Sequence, residues 1–388
     1  MAEQLIDFTD PAVRLNPYPE YKRMRESHPV AFHAPQNTWY VFRYADVKAV
    51  MTDSARFSND MSALFGTPPT PLIHFDPPRH TQQRALISKA FTPKMIAAME
   101  GKIVQIAHRM LDRVVGTGQL ELVHDFSAAL PVAVITEMMG VPEEDHARVK
   151  TWADQMAASV NAIATGKVEN QDGLMQMLQY FSKLVLQRKE APSDDLISAL
   201  WQAQIDGESL DMGEMLGFCI LLYFGGTENT ANLLTTTTAT LLEHPEVLDE
   251  VRKNPTLISS VTEEMLRYRS PSQVFRRAKC DVELAGQTVL AGQAVVPFPG
   301  SANHDELIFS QPEKFDIHRS QNPHLAFGHG IHFCLGAALT RMETRAGLTA
   351  LLDRLQDLER ADNLPLEPLD SYFFYGYKRL PLRFKPAK

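Results

Sequence analysis

The stretch HLAFGHGIHFCLGAALTR, residues 324–341, sets Cys334, one of only three cysteines, among His324, His329, His332, Gly328, Gly330 and Gly336. Glycines let a backbone fold back tightly and approach a bound group closely. Cys334 also stands just before residues that read as a helix start, where free N–H groups and the helix dipole favour a thiolate. Without those features a lone cysteine is a small, inert hydrophobe. Three chemistries compete for such a sulfur. A zinc site would recruit the histidines, but their spacing is irregular and a structural site usually wants more than one sulfur. A nucleophile would need a histidine base oriented by a third group, and no local signature offers one. An axial thiolate on a haem iron needs a single sulfur.

A second constellation interrupts the most apolar segment of the chain. Within residues 212–243 the run FGGTENTANLL places Gly225 and Gly226 in what reads as a helix interior, where each costs about 1 kcal/mol relative to alanine. Glu228 in so apolar a setting is unfavourable unless partnered or wet. The glycines would let something flat approach, and Glu228, Asn229 and Thr230 form a polar notch able to hold water or oxygen; helix packing is the plainer use of the glycines. Two further pairs share helix faces. His80 and Arg84 lie four apart in DPPRHTQQR, and Glu264 and Arg267 three apart in EEMLR, a spacing that by itself marks an ordinary surface ion pair.

The elements that must position these groups are mostly helical. Apolar periodicity predicts helices over 79–91, 95–115, much of 145–190, 212–243 and 336–357, the fourth of them roughly 45 Å long and apolar enough to be buried. Strand-like pieces fall at about 28–45, 275–300 and 365–385, the first a hairpin around a polar turn. The 388 residues exceed the size at which one core usually stops growing, so two subdomains or one large helical body is expected. With 38 Lys and Arg against 47 Asp and Glu there is no bulk basic field for nucleic acid. The N-terminus carries acids where a signal peptide needs an apolar run, and MLGFCILLYF is too short to span a bilayer, so a cytoplasmic protein without a membrane partner is expected. Cys219, Cys280 and Cys334 form no C-x-x-C pair.

FGHGIHFCLG, residues 327–336, resembles the haem-binding signature F-G-x-G-x-H-x-C-x-G of the cytochrome P-450 superfamily in its soluble bacterial form, with Phe327, Gly328, Gly330, His332, Cys334 and Gly336 all matching. Other motifs follow in the family's order along nearly the whole chain. The resemblance implies a mainly α cytochrome P-450 fold, a large helical body with a small β region, forming a single haem-binding domain over 1–388. It implies haem b, with Cys334 as iron ligand and His80, Arg84, Arg276 and His332 around the propionates; Arg277, adjacent to Arg276, could take that place instead. Gly225 and Gly226 match the oxygen-activation groove and Glu228 the acid of a proton relay. The family's usual threonine is Asn229 here, and Thr230 comes one residue late. An amide holds water but shuttles protons poorly. Glu264, Arg267 and Arg319 match the family's structural triad. His304 stands where arginine is common, a local change only.

By the same resemblance, the activity is insertion of one oxygen atom from O2 into a hydrophobic molecule, a terpenoid, steroid, fatty acid or aromatic. The substrate would be enclosed by the 58–75 loop, the 150–185 helices, Phe218, Tyr223, Val274, Phe275, Phe374 and Tyr375. Phe373, Phe374 and Tyr375 alternate faces if extended, so not all line one pocket. Electrons would come from a separate ferredoxin or flavodoxin docked near Arg79, Lys89, Arg341 and Arg345. A peroxide-using haem-thiolate enzyme and a non-haem zinc or small-molecule binding protein stay open as alternatives.

Overall fold

The computed structural model describes residues 5–62, 70–164 (backbone alone over 156–164) and 172–387. Parts of the 58–75 loop and of the 150–185 region expected around a substrate therefore lie outside the described residues. Helices dominate, and the longest is the central helix, Met212–Glu243, as the apolar run predicts. Its start is fixed by a capping box. The Asp211 side chain accepts from the Glu214 N–H at 2.8 Å, and Glu214 Oε2 accepts from the Asp211 N–H at 3.0 Å. From Thr230 to Leu241 every residue is buried. The threonines 235–238 satisfy their hydroxyls by donating to carbonyls of the preceding turn, for example Thr237 Oγ1 to Leu233 O at 2.6 Å, so four polar side chains fit a core helix.

The central helix packs against the helix Ala129–Met138 and against Ala337–Arg354, the cysteine helix, which follows Cys334. Gly347 makes the second crossing close: a Cβ there would sit 3.0 Å from Leu234 and 3.1 Å from Leu130. One large apolar core surrounds these helices.

The β region consists of small sheets. Strands β1 (Val30–His33), β2 (Thr38–Val41), β3 (Phe57–Ser58), β5 (Arg276–Ala278) and β8 (Ala294–Pro297) form a five-stranded sheet in the order β1-β2-β8-β5-β3, antiparallel except for β2 with β8. β4 (Gln119–Glu121), β10 (Pro381–Pro386) and β9 (Leu355–Arg360) make a second sheet, and β6 (Val282–Leu284) pairs with β7 (Gln287–Val289) as a hairpin. A buried cluster of aromatic rings packs beside the first sheet, with Phe42 stacked on Phe298 at 5.0 Å.

Three expectations need adjustment, and one strand, β4, is unanticipated. The helix expected over 95–115 is two, Pro93–Ala98 and Glu100–Asp112, because the Met99 N–H turns to Ile96 O at 3.0 Å and tightens the chain there. The cysteine helix stops at Arg354, where Leu355 goes extended to pair with β10. β4 carries no alternation that short-range reading could find. Within 365–380, only isolated bridges such as Ser272 with Phe374 occur, and the regular strand begins at Pro381.

Glu264, Arg267 and Arg319 come together in one ion-pair network. Arg267 and Glu264 are almost wholly buried, and all five guanidinium N–H positions find acceptors: Glu264 Oε2 at 2.9 Å and Oε1 at 2.7 Å, Asn303 O at 3.0 Å, Pro312 O at 2.8 Å and Lys314 O at 2.9 Å. Arg319 reaches Glu264 Oε2 at 3.3 Å, and the Asp316 N–H donates to Glu264 Oε1 at 3.0 Å. The pair thereby holds the 303–319 meander onto the helix Ile258–Tyr268. His304 is a local change, as expected. Burial, with Arg267 next, lowers its pKa to about 3, and the neutral ring lies on Tyr18 at 4.3 Å with Nε2 bonded to Tyr268 O at 2.9 Å.

Candidate functional site

The cysteine loop is a tight backbone structure. Gly328 and Gly330 adopt φ of +71° and +77°, a region that favours glycine, and Gly330 also lies against Thr52, whose Cα would be 3.2 Å from an added Cβ. The Cys334 N–H donates to Phe327 O at 2.9 Å, which fixes the thiol relative to the loop's first residue. The Arg341 guanidinium covers the Phe327 ring at 4.6 Å. Gly336 leaves Cys334 Sγ 4.0 Å from the place a Cβ would take.

The helix-start N–H groups do favour a thiolate, but burial opposes them. Burial pushes the Cys334 thiol up, and this outweighs the Gly336 N–H, Arg84, Arg341 and the Ala337 N–H, all of which favour the anion. A coordinated metal ion would reverse that balance, because a coordinating thiol is deprotonated outright.

Beside Cys334, four residues from three distant segments converge. His80 and Arg84 come from one face of the helix Arg79–Ala90, Arg276 from β5 and His332 from the turn Gly330–His332. The His80 and His332 rings are 4.0 Å apart. Neither ring nitrogen of His80 has a hydrogen-bond partner, nor has Nε2 of His332. Among the described residues no carboxylate forms an ion pair with Arg84 or Arg276; Arg276 donates only to Phe275 O at 2.7 Å. The cluster is strongly self-repelling. Burial, then His80, Arg276, Arg84 and His74, lower the His332 pKa to about 3, burial and Arg84 lower that of His80, and burial lowers Arg276 to about 10. Buried cations and donors without an anion are costly, and two carboxylates would satisfy both charge and hydrogen bonds. The residues therefore fit a flat group bearing two carboxylates next to Sγ. Along β5 it is Arg276 that faces the cluster, while Arg277 points the other way and donates to Asp60 O at 3.1 Å.

Gly225 is exposed, its added Cβ meeting nothing nearer than Leu221 at 3.7 Å, so the central helix has open space at this point. Gly226 differs. A Cβ there would touch Ile135 at 3.2 Å, so this glycine serves the packing of two helices rather than a groove. Glu228 is half-buried with its pKa raised by burial, against a lowering hydrogen bond from Asn232. Asn229 carries a buried Oδ1 with no partner. Thr230 is withdrawn from the notch: its hydroxyl bonds Gly226 O at 3.3 Å and lies 3.2 Å from Thr340 Oγ1 on the cysteine helix. Asn232, one turn after Glu228, donates from Nδ2 to Glu228 Oε1 at 3.4 Å. Its i,i+4 spacing was the available signal, lost among the surrounding apolar residues.

The apolar lining divides. Val274 and Phe275 are partly open, with Phe275 stacked on Phe373 at 5.1 Å. Phe218 and Tyr223 are core residues, and the Tyr223 hydroxyl pairs with Thr136 Oγ1 at 3.0 Å. Phe374 and Tyr375 line a separate small cleft with Tyr18, Tyr21 and Gln273, and Tyr375 donates to Leu15 O at 3.0 Å. The four cations expected to dock a partner are all engaged: Arg79 with buried Glu214, Lys89 with Gln204 O, Arg341 with Glu263 at 2.6 Å and Arg345 with Glu100. Ile331 and Phe333, by contrast, are exposed on the cysteine loop.

Among the described residues no helix is long and apolar enough to cross a membrane, and no group of three or more His, Cys, Asp or Glu is placed to hold a metal ion. A sequence model of the cytochrome P450 family matches residues 18–368. The chain is 38% identical over 369 residues to the putative cytochrome P450 YjiB of Bacillus subtilis, covering 94% of this chain and 92% of that one. Its structure is similar to that of cytochrome P450 CYP109Q5 from Chondromyces apiculatus, with a TM-score of 0.92, 37% identity and 98% of both chains covered. It is also similar to CYP109E1 from Bacillus megaterium in complex with testosterone, with a TM-score of 0.87, 38% identity, and 95% and 99% covered.

Proposed function

The chain belongs to the cytochrome P450 family of haem-binding monooxygenases, and from that premise we propose an O2-dependent enzyme that oxidises a hydrophobic small molecule of the steroid or terpenoid type, with electrons from a separate ferredoxin or flavodoxin. The observation that carries this reading is the cluster of His80, Arg84, Arg276 and His332 beside the single loop thiol, with unpartnered histidine nitrogens and, among the described residues, no carboxylate paired to either arginine. When bound, haem b supplies the iron at which dioxygen is reduced and one oxygen atom passes to the substrate.

The residues divide the remaining work. Cys334 Sγ would hold the iron and, as a thiolate, would donate electron density to it. Arg84, Arg276, His80 and His332 would hold the propionates through charge and hydrogen bonds. Gly225 leaves room for the flat group, and Phe327 and Gly328 shape the loop that presents the sulfur. Glu228, its carboxyl held above the ordinary range by burial, carries a proton at the notch. Asn229 fixes a water with its unpartnered Oδ1. The half-open Val274 and Phe275, and the testosterone bound to the similar CYP109E1, support an apolar substrate of that size. Since the four candidate cations are engaged, the exposed Ile331 and Phe333 beside Cys334 are the better footprint for the electron donor.

Asn229→Thr tests the oxygen-handling part. A hydroxyl in place of the amide should change the fraction of electrons recovered in product about threefold or more, measured with several substrates. Equal coupling in both proteins contradicts a role for Asn229. Full turnover on hydrogen peroxide without reductant would favour the peroxide-using reading instead.

A further inference from the structure

Gly376 ends the aromatic stretch 372–376, and a Cβ built on it would lie 2.4 Å from Asn232 Oδ1 and 2.8 Å from its Cγ. Leu369 Cδ1 bounds the other side at 3.1 Å, so only hydrogen fits here while Asn232 keeps its place. The backbone around Gly376 has little freedom. Gln273 N–H donates to Phe373 O and Tyr375 N–H to Pro271 O, each at 2.9 Å, and Leu369 N–H donates to Gly376 O at 3.1 Å. Phe373, three residues earlier, stacks on Phe275. Asn232 itself is 5% exposed, and its other amide atom, Nδ2, is the one bonded to Glu228. One side-chain amide is thus wedged between the aromatic tip and the acid of the polar notch.

We propose that Gly376 and Asn232 are positioning residues for Glu228: the tip presses on the Asn232 amide, and the amide sets the orientation of the Glu228 carboxyl. The fit of the tip against Phe275 is thereby transmitted to the group that carries the proton. This rests on the reading of Glu228 given above. A glycine is required because any side chain would push the amide, and Glu228 with it, out of line.

The test is a double-mutant cycle of Gly376→Ala, Asn232→Ala and both together in the haem-loaded protein. Two quantities are read: the infrared band of the Glu228 carboxyl group, identified by its loss in Glu228→Gln, and the fraction of electrons recovered in product. Each single substitution should shift the band and lower coupling about three- to tenfold, the range of a weak hydrogen bond to a carboxyl. The double variant should match Asn232→Ala, since removing the amide removes what the new methyl strikes. If Gly376→Ala alone does not fold, the double variant should fold and still behave as Asn232→Ala. An unmoved band and unchanged coupling in Gly376→Ala, or a double variant whose defects multiply, would overturn the proposal. Glu228→Gln with undiminished coupling would instead overturn the role of Glu228 itself.

Discussion

Glu264→Gln should cost about 3–5 kcal/mol of folding stability, a large share of the roughly 5–15 kcal/mol that a folded domain possesses. The amide keeps the volume of the carboxyl, so no cavity complicates the result. What it removes is the charge facing Arg267, whose side chain is fully buried and cannot turn to water. Arg319, at 3.3 Å from the same carboxylate, loses its partner too, and the Gln nitrogen meets donors rather than acceptors. The 303–319 meander should then loosen first, since Arg267 holds it through Asn303, Pro312 and Lys314 carbonyls. Urea unfolding followed by circular dichroism measures the loss. A change below about 1 kcal/mol, the scale of a surface pair, would show that the network is dispensable.

Arg276→Leu should loosen haem retention by about 30-fold or more, and Arg277→Leu by less than about threefold. Truncating one partner of a buried, hydrogen-bonded charge pair costs about 2–5 kcal/mol, and tenfold corresponds to about 1.4 kcal/mol. Arg276 is buried in the cluster with His332, whereas its neighbour on the strand is spent on Asp60 O. The rate at which haem passes to an excess of apomyoglobin reads this directly. Faster loss from Arg277→Leu than from Arg276→Leu would reverse the assignment. Equal slow loss from both would remove Arg276 from the propionate site.

Much of this site is legible in the sequence because its determinants are local. The loop around Cys334 announces itself through glycines that adopt positive φ, and the central helix through an apolar run whose bounds the structure keeps. Glu264 and Arg267 are paired by helix spacing, although spacing alone could not say that the pair is buried. The errors are tertiary. Gly226 and Gly225 are neighbours in sequence, yet one abuts Ile135 and the other faces open space. Thr230 looks like a displaced hydroxyl for the notch until Thr340 is seen across the helix crossing. Tyr223 and Phe218 are as aromatic as a lining should be, but their helix faces point into the main core. The arginines expected to be free are paired with acids far along the chain, Glu263 and Glu100 among them. The direction of the Cys334 pKa was hidden for the same reason, since a helix start is visible in sequence and desolvation is not.

The central claim is that the Cys334 sulfur ligates haem iron. The direct measurement is the absorption spectrum of the purified protein, reduced and exposed to carbon monoxide, beside that of Cys334→Ala. The wild type should show the red-shifted band diagnostic of a thiolate-ligated haem, and the variant should lose it while keeping its helical circular dichroism. A colourless wild type, or the same band in both proteins, would contradict the account.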